Sequence, residues 1–468
     1  MTMLTLGEAA RLIPGATVHG DADVSFERVS TDSRTAGPGE LFVALKGERF
    51  DAHDFVGDVA ARGAAAALVS RIPAGAGMPT IEVADTRVAL GALAHGWRAR
   101  FALPLVAVTG SNGKTTVKEM IASIFAAAVG ADARLATAGN FNNDIGLPLT
   151  LLRLNGAHRL AVIELGMNHP GETDVLARLA APTVALVNNA QREHQEFMAT
   201  VEAVALEHAA VIHALAPDGV AVFPADDAYA GIWRVAATGN RIIDFALHDG
   251  ERQTSAQVTG RLAAGELAVD TPAGRIAVRL RALGEHNARN ALAATAAALA
   301  AGVGLSAIQA GLEAFEPVKG RLQVRRAIAG GLAGATVVDD TYNANPDSMR
   351  AAIDVLASQP APRVLVIGDM GEVGDEGPAF HREVGAYARE RGIDALFALG
   401  DATRDACAAY GSAARHFDGV DALVPALLAA GYGAQATILV KGSRYMKMER
   451  VVDALTNQSA AGAAPAAH

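Results

Sequence analysis

A single cysteine, Cys407, in 468 residues leaves no partner for an intrachain disulfide and no set of thiolates for a zinc site. An oxidatively stapled secreted scaffold is excluded, and a reducing compartment, the cytoplasm, is expected. Cations are also scarce: 40 Lys and Arg stand against 50 Asp and Glu, a formal charge of −10. Nonspecific nucleic-acid binding draws its affinity from cations that neutralise phosphates, so no nucleic-acid partner is expected. The opening residues, MTMLTLGEAARLIPG, contain no basic segment followed by a sustained apolar run and no small-residue cleavage site, so no signal peptide is read there. Charge is missing altogether from residues 291–312 and 422–440, but Gly302 and Gly304 break the first stretch and Pro425, Gly431 and Gly433 the second. Each predicts a buried helix, a turn and a further element, and no transmembrane segment is expected.

What the chain does have is apolar residues, 51% of the total, enough for substantial cores. At roughly 150 residues per domain its length points to about three. Residues 1–100 read as a small α/β domain, with β-like runs at 24–29, 40–45 and 65–70. Residues 101–318 read as a central, doubly wound parallel sheet: apolar strands at 105–109, 160–164 and 184–188, and a helix at 115–129. Alternating sequence at 220–280 suggests an antiparallel extension, and alanine-rich helices follow at 288–315. Residues 319–458 give a third, Rossmann-like α/β unit with strands at 336–339, 364–367, 395–399 and 437–440, and the small-residue tail 459–468 is expected to fray.

The strongest local signal lies between the strand at 105–109 and the helix that follows. Thr109, Gly110, Ser111, Asn112, Gly113, Lys114, Thr115 and Thr116 form a variant P-loop, with Val108 where the general pattern asks for glycine. Such a loop aims backbone N–H groups and the positive end of a helix at phosphates; Lys114 reaches the outer phosphates and Thr115 offers a hydroxyl to magnesium. Glu164 closes a neighbouring strand at the sheet edge where ligands bind in doubly wound folds. From the residues alone, Glu164 and His194 read equally well as structural groups and as ligands.

Together with the P-loop, the blocks Gly139–Asn143, Glu164–Met167, Gly284–Asn287 with Asn290, Lys319–Gln323, Asp340–Pro346 and Lys441–Arg444 closely resemble the Mur ligases. Within that family, Phe42–Gly47 and Asp340–Met349 are most similar to members that add D-alanyl-D-alanine to UDP-N-acetylmuramoyl-tripeptide, completing a peptidoglycan precursor. The resemblance implies an ATP- and Mg2+-dependent ligase that passes through an acyl phosphate. It implies Lys114 and Thr115 at the ATP phosphates, and Thr115 and Glu164 at a first magnesium. His194 falls at a second magnesium, Asn290 at the adenine, Asp340 at the ribose and Arg321 at the terminal phosphate. Ser33, Arg34 and Lys46 fall at the UDP end. Asn140, Asn142 and Asn143 are expected at phosphate or substrate, and Asn343, Asn345 and Ser348 at the peptide; an Asn-rich turn and a helix N-cap are the plainer readings of those two groups. A monomer is expected.

The chain departs from the family at one place. Mur ligases commonly carry, a short way after the histidine matched by His194, a lysine that is carboxylated to bind the second magnesium. The count falls on His208, and no lysine occurs from Glu119 to Val318. His208 or the neighbouring Glu207 is expected to fill that space. A different amino-acid-adding ligase of the Mur or folylpolyglutamate type is the alternative within the same chemistry, and a P-loop switch NTPase the alternative outside it.

Overall fold

A computed structural model describes residues 2–248 and 255–457, so the expected tail at 459–468 lies outside the described residues. Three α/β domains follow one another, each built on its own sheet. In the first, five strands run in the order Thr17–His19, Thr80–Glu82, Ala66–Val69, Glu40–Val43, Arg28–Ser30, with only the first pairing antiparallel.

The central sheet has nine strands among the described residues. Leu105–Thr109 lies between Leu160–Glu164 and Val184–Val187, all parallel and all fully apolar until their last residues. Strands with helices on both faces have no solvated side, so uninterrupted apolar runs are what such a position selects. The expected antiparallel extension is narrower than the alternation suggested. Val220–Pro224 and Arg241–Leu247 continue the parallel sheet, and only Val258–Ala263, Glu266–Thr271 and Gly274–Arg279 form antiparallel pairs at its edge.

The uncharged stretch 291–312 belongs to two helices, Glu285–Ala300 and Leu305–Ala314, which pack with the P-loop helix Lys114–Val129 over one face of this sheet. Small side chains let the backbones approach closely: a Cβ on Gly311 would lie 2.3 Å from Ile124 Cα. The other stretch, 422–440, divides into the helix Val420–Leu428 and the buried strand Thr437–Lys441. Among the described residues no helix is long and apolar enough to cross a membrane.

The third sheet runs Gln323–Arg326, Thr336–Asp340, Thr437–Lys441, Arg363–Gly368, Ala395–Leu399, Ala414–Phe417, parallel except at the first pair. Its second and third strands come from opposite ends of the domain's sequence. Their register sets Asp340 opposite Lys441 at the carboxyl edge.

Candidate active site

The carboxyl ends of the three adjacent central strands open into a cleft of about 1220 Å³, which the third domain closes from the other side. Leu105–Thr109 delivers the P-loop. Gly113, with φ +82°, turns the chain into the helix Lys114–Val129; a Cβ there would also lie 2.5 Å from Asn290 Oδ1 and 2.7 Å from Asn188 Nδ2. The side chains behind the loop form a small amide network. Asn188 Nδ2 donates to the Asn112 carbonyl at 2.8 Å and to Asn290 Oδ1 at 2.9 Å, while Asn290 Nδ2 donates to Asn287 Oδ1 at 3.0 Å. Asn290, expected at the adenine, is thus seen bracing the P-loop from the cleft wall. Ser111 is tied to the Gln191 backbone, and Lys114 Nζ donates to the Gly110 and Ser111 carbonyls.

Glu164 ends the adjacent strand and is buried. Its Oε1 accepts from Asn142 Nδ2 at 2.8 Å, whereas Oε2 is buried without a hydrogen-bond partner. An unpartnered carboxylate oxygen in that position calls for a cation. Glu164 and the Thr115 hydroxyl, both lining the cleft, suit magnesium, which takes one or two carboxylates and completes its shell with water and phosphate oxygens. No cluster of three or more His, Cys, Asp or Glu that could hold a metal by themselves occurs among the described residues. Of the asparagine turn, Asn142 holds Glu164, Asn143 accepts from the Gly146 N–H at 2.8 Å at the start of a short helix, and Asn140 lines the cleft.

His208 requires a correction. It does not face the cleft as a substitute metal ligand but is fully buried, with Nε2 3.0 Å from Glu193 Oε1 and Nδ1 3.0 Å from Thr109 Oγ1. Because a carboxylate only accepts, the shared proton belongs on Nε2, and Nδ1 accepts from the Thr109 hydroxyl. Glu207 is also engaged elsewhere, accepting from the N–H groups of Gly171 and Thr173. One residue that sequence reasoning missed is Glu193. It lines the cleft at 5% exposure, with Oε2 3.2 Å from Lys114 Nζ and 3.8 Å from His194 Nε2. Burial alone would push its carboxyl group up; Lys114, His208 and His194 overcome that and hold it down at about 2. His194 adopts a left-handed φ of +48°, and its Nδ1 lies 2.7 Å from Glu372 Oε2 in the third domain.

Other contacts join the same two domains. Arg321 Nη2 donates to Thr115 Oγ1 at 2.9 Å while its guanidinium lies over the Tyr342 ring, 4.2 Å from the centroid. Within the third domain, Asp340 accepts from Lys441 Nζ at 2.6 Å, and Lys441 also reaches the Asn343 carbonyl. Asn345 caps the helix Pro346–Ala357 in a reciprocal box with Ser348, the plainer of the two readings, and its amide also meets the Asn112 side chain at 3.0 Å. Arg192 clamps Asp347 with two nitrogens and reaches Glu383 at 2.7 Å. Arg192→Ala should therefore loosen the closure and enlarge the radius of gyration in small-angle scattering, with nucleotide and UDP-tripeptide restoring compaction. Unchanged dimensions would assign closure to the Arg321 and Asn112 contacts instead.

Ser33, Arg34 and Lys46 are not brought to this cleft. The Arg34 guanidinium is paired with Asp32, and Lys46 is exposed on the first domain. The first-domain residue that does line the cleft is Arg87, which donates to Asp144 at 2.6 Å.

Comparisons with known proteins match all three domains. Residues 25–98 match the Mur ligase family catalytic domain, 108–298 the Mur ligase middle domain and 320–444 the Mur ligase glutamate ligase domain. The UDP-N-acetylmuramoyl-tripeptide–D-alanyl-D-alanine ligase of Escherichia coli is 42% identical over 97% of this chain and 99% of its own, and that of Haemophilus influenzae 39% identical over 98% and 99%. A crystal structure of MurF from Acinetobacter baumannii superposes with a TM-score of 0.88 at 37% identity, covering 97% of this chain and 98% of the other. With three domain matches in order and full-length relatives above 30% identity, the chain belongs to the Mur ligase family.

Proposed function

We propose that this enzyme joins D-alanyl-D-alanine to UDP-N-acetylmuramoyl-tripeptide at the expense of ATP, as the names of its full-length relatives indicate for them. The observation that carries the reading is that Lys114, Thr115 and Glu164 line one cleft with Arg321, which reaches the Thr115 hydroxyl from the facing domain. An oxygen of the tripeptide's terminal carboxylate attacks the γ-phosphorus of ATP, and ADP leaves with the bonding pair. The uncharged amine of D-alanyl-D-alanine then attacks the acyl carbon, and the tetrahedral intermediate expels phosphate while the former amine nitrogen gives up a proton.

Such a reaction needs charge neutralisation and in-line positioning more than it needs a protein nucleophile. Lys114 and the N-terminal turn of its helix hold the phosphates, and Arg321 adds a second cation from the facing domain. Thr115 and Glu164 would hold magnesium, which supplies electrostatic stabilisation to the phosphate oxygens when bound. Asp340 and Asn290 flank the nucleoside, and Asn343, Asn345 and Ser348 flank the incoming peptide. The uridine end rests on the first domain, with Ser33, Arg34 and Lys46 as its contacts, and the enzyme works as a cytoplasmic monomer.

ADP release should require UDP-tripeptide and D-alanyl-D-alanine together, and mass spectrometry should find the pentapeptide product. ADP formed with neither substrate would favour a switch NTPase. A product formed instead with a single amino acid as acceptor amine would favour another ligase of the same fold.

A further inference from the structure

We propose that Glu193, positioned by His208, is the carboxylate that holds the second magnesium ion in this chain, at the place where the family resemblance implies a carboxylated lysine. The inference rests on the ligase reading above and adds to it a residue and a route.

An imidazole at 208 cannot replace an anionic carbamate directly. It is neutral when it ligates, and magnesium prefers oxygen donors. Full burial removes the remaining option, since both ring nitrogens of His208 are occupied within the protein. What His208 does from that backbone position is present another carboxylate. A carboxylated lysine carries its negative charge at the end of a long stem; here the imidazole supplies the stem and Glu193 the charge, joined by the 3.0 Å contact between Nε2 and Oε1. Thr109, the last residue of the strand leading into the P-loop, fixes the ring from behind.

The free end points the right way. Glu193 Oε2 faces Lys114 and lies within 3.8 Å of His194, the residue expected at the second ion. Its present cation is the one that ATP also needs. When the phosphates draw Lys114 toward them, a buried carboxylate is left to be neutralised, and Glu193, with His194 beside it, would hold a divalent ion that supplies the missing positive charge. Binding the nucleotide and creating the second metal position therefore become one exchange of partners at Lys114.

The test is metal stoichiometry, read by electron paramagnetic resonance of free Mn2+ during titration of the full-length enzyme with a nonhydrolysable ATP analogue and UDP-tripeptide. Wild type should take up two ions, and Glu193→Gln should lose one or weaken it by more than about tenfold. Glu193→Asp, which keeps the charge on a shorter arm, should retain a weakened second ion, and it serves if the glutamine variant does not fold. His208→Gln should weaken the same ion while leaving the first untouched, a split that a merely structural histidine would not produce. In Glu193→Ala/His208→Lys, the second ion should return with bicarbonate, and [13C]bicarbonate should give a carbamate carbon resonance. Two ions at wild-type affinity in Glu193→Gln would overturn the assignment while leaving the ligase reading intact. Failure of the wild type to bind Mn2+ with nucleotide, together with absence of ligation, would overturn the ligase reading itself.

Discussion

Replacing Lys114 with alanine is expected to lower ligation on the order of 10³-fold, the scale seen when a preorganised charge at the reacting centre is removed. The side chain projects from the first residue of its helix into the cleft and takes no part in the apolar cores, so the fold should survive. Stability should nevertheless drop modestly, because Glu193 keeps His208 but loses its ammonium partner. Arginine at 114 should not restore turnover. A planar fork cannot reproduce a compact ammonium that donates to two loop carbonyls and a carboxylate at once. Circular dichroism melts beside an ADP-release assay separate the two effects, and near-normal turnover in a folded Lys114→Ala enzyme would remove the P-loop from the mechanism.

Glu164→Gln should raise the magnesium concentration needed for half-maximal activity on the order of 10²-fold, at the top of the 10- to 100-fold range typical of losing an outer hydrogen-bond partner of a metal ligand. The substitution is nearly isosteric and can keep the contact to Asn142, so it tests the charge rather than the packing. Loss of that charge matters because Oε2 has no protein partner to take over. Asn142→Ala should show a smaller shift in the same direction, since it frees the carboxylate without discharging it. A magnesium titration unchanged in Glu164→Gln would leave the residue as an anchor for the asparagine turn.

The parts of this architecture that could be read in advance are those in which local sequence and local structure obey the same constraint. Leu105–Thr109 is an uninterrupted apolar strand because it is buried on both faces, and the glycines and lysine that follow are held to type by the turn. Leu160–Glu164 and Ala395–Leu399 were legible for the same reason. Glu193 was not. Its burial depends on the chain turning back at His194 and on a histidine that follows in the next helix, Val201–His213, and neither leaves a periodic trace. The available signal was indirect: a family lysine missing, with an acidic residue directly beside the expected metal histidine. Counting forward from His194 falls on His208, beside Glu207, which caps a different helix, whereas Glu193 lies one residue behind His194. Arg192 escaped for a related reason, since an exposed-looking loop arginine acquires its partners Asp347 and Glu383 only when two domains meet.

The strand order of the third domain has a consequence for how the enzyme is made. Thr437–Lys441, the last of its six strands to be synthesised, sits between the second and the third members of the chain order and pairs with both. On the ribosome, Thr336–Asp340 and Arg363–Gly368 must wait, side by side with a gap between them, until that strand emerges. The central sheet has no such delay, because its strands are complete by Arg279. Domains fold as units, earlier ones first. A nascent chain therefore holds a finished P-loop well before Asp340 has Lys441 to pair with, and before Arg321 is carried on a folded domain to Thr115. A premature stop anywhere before residue 437 leaves the central sheet whole but the third sheet without the strand that joins its two halves.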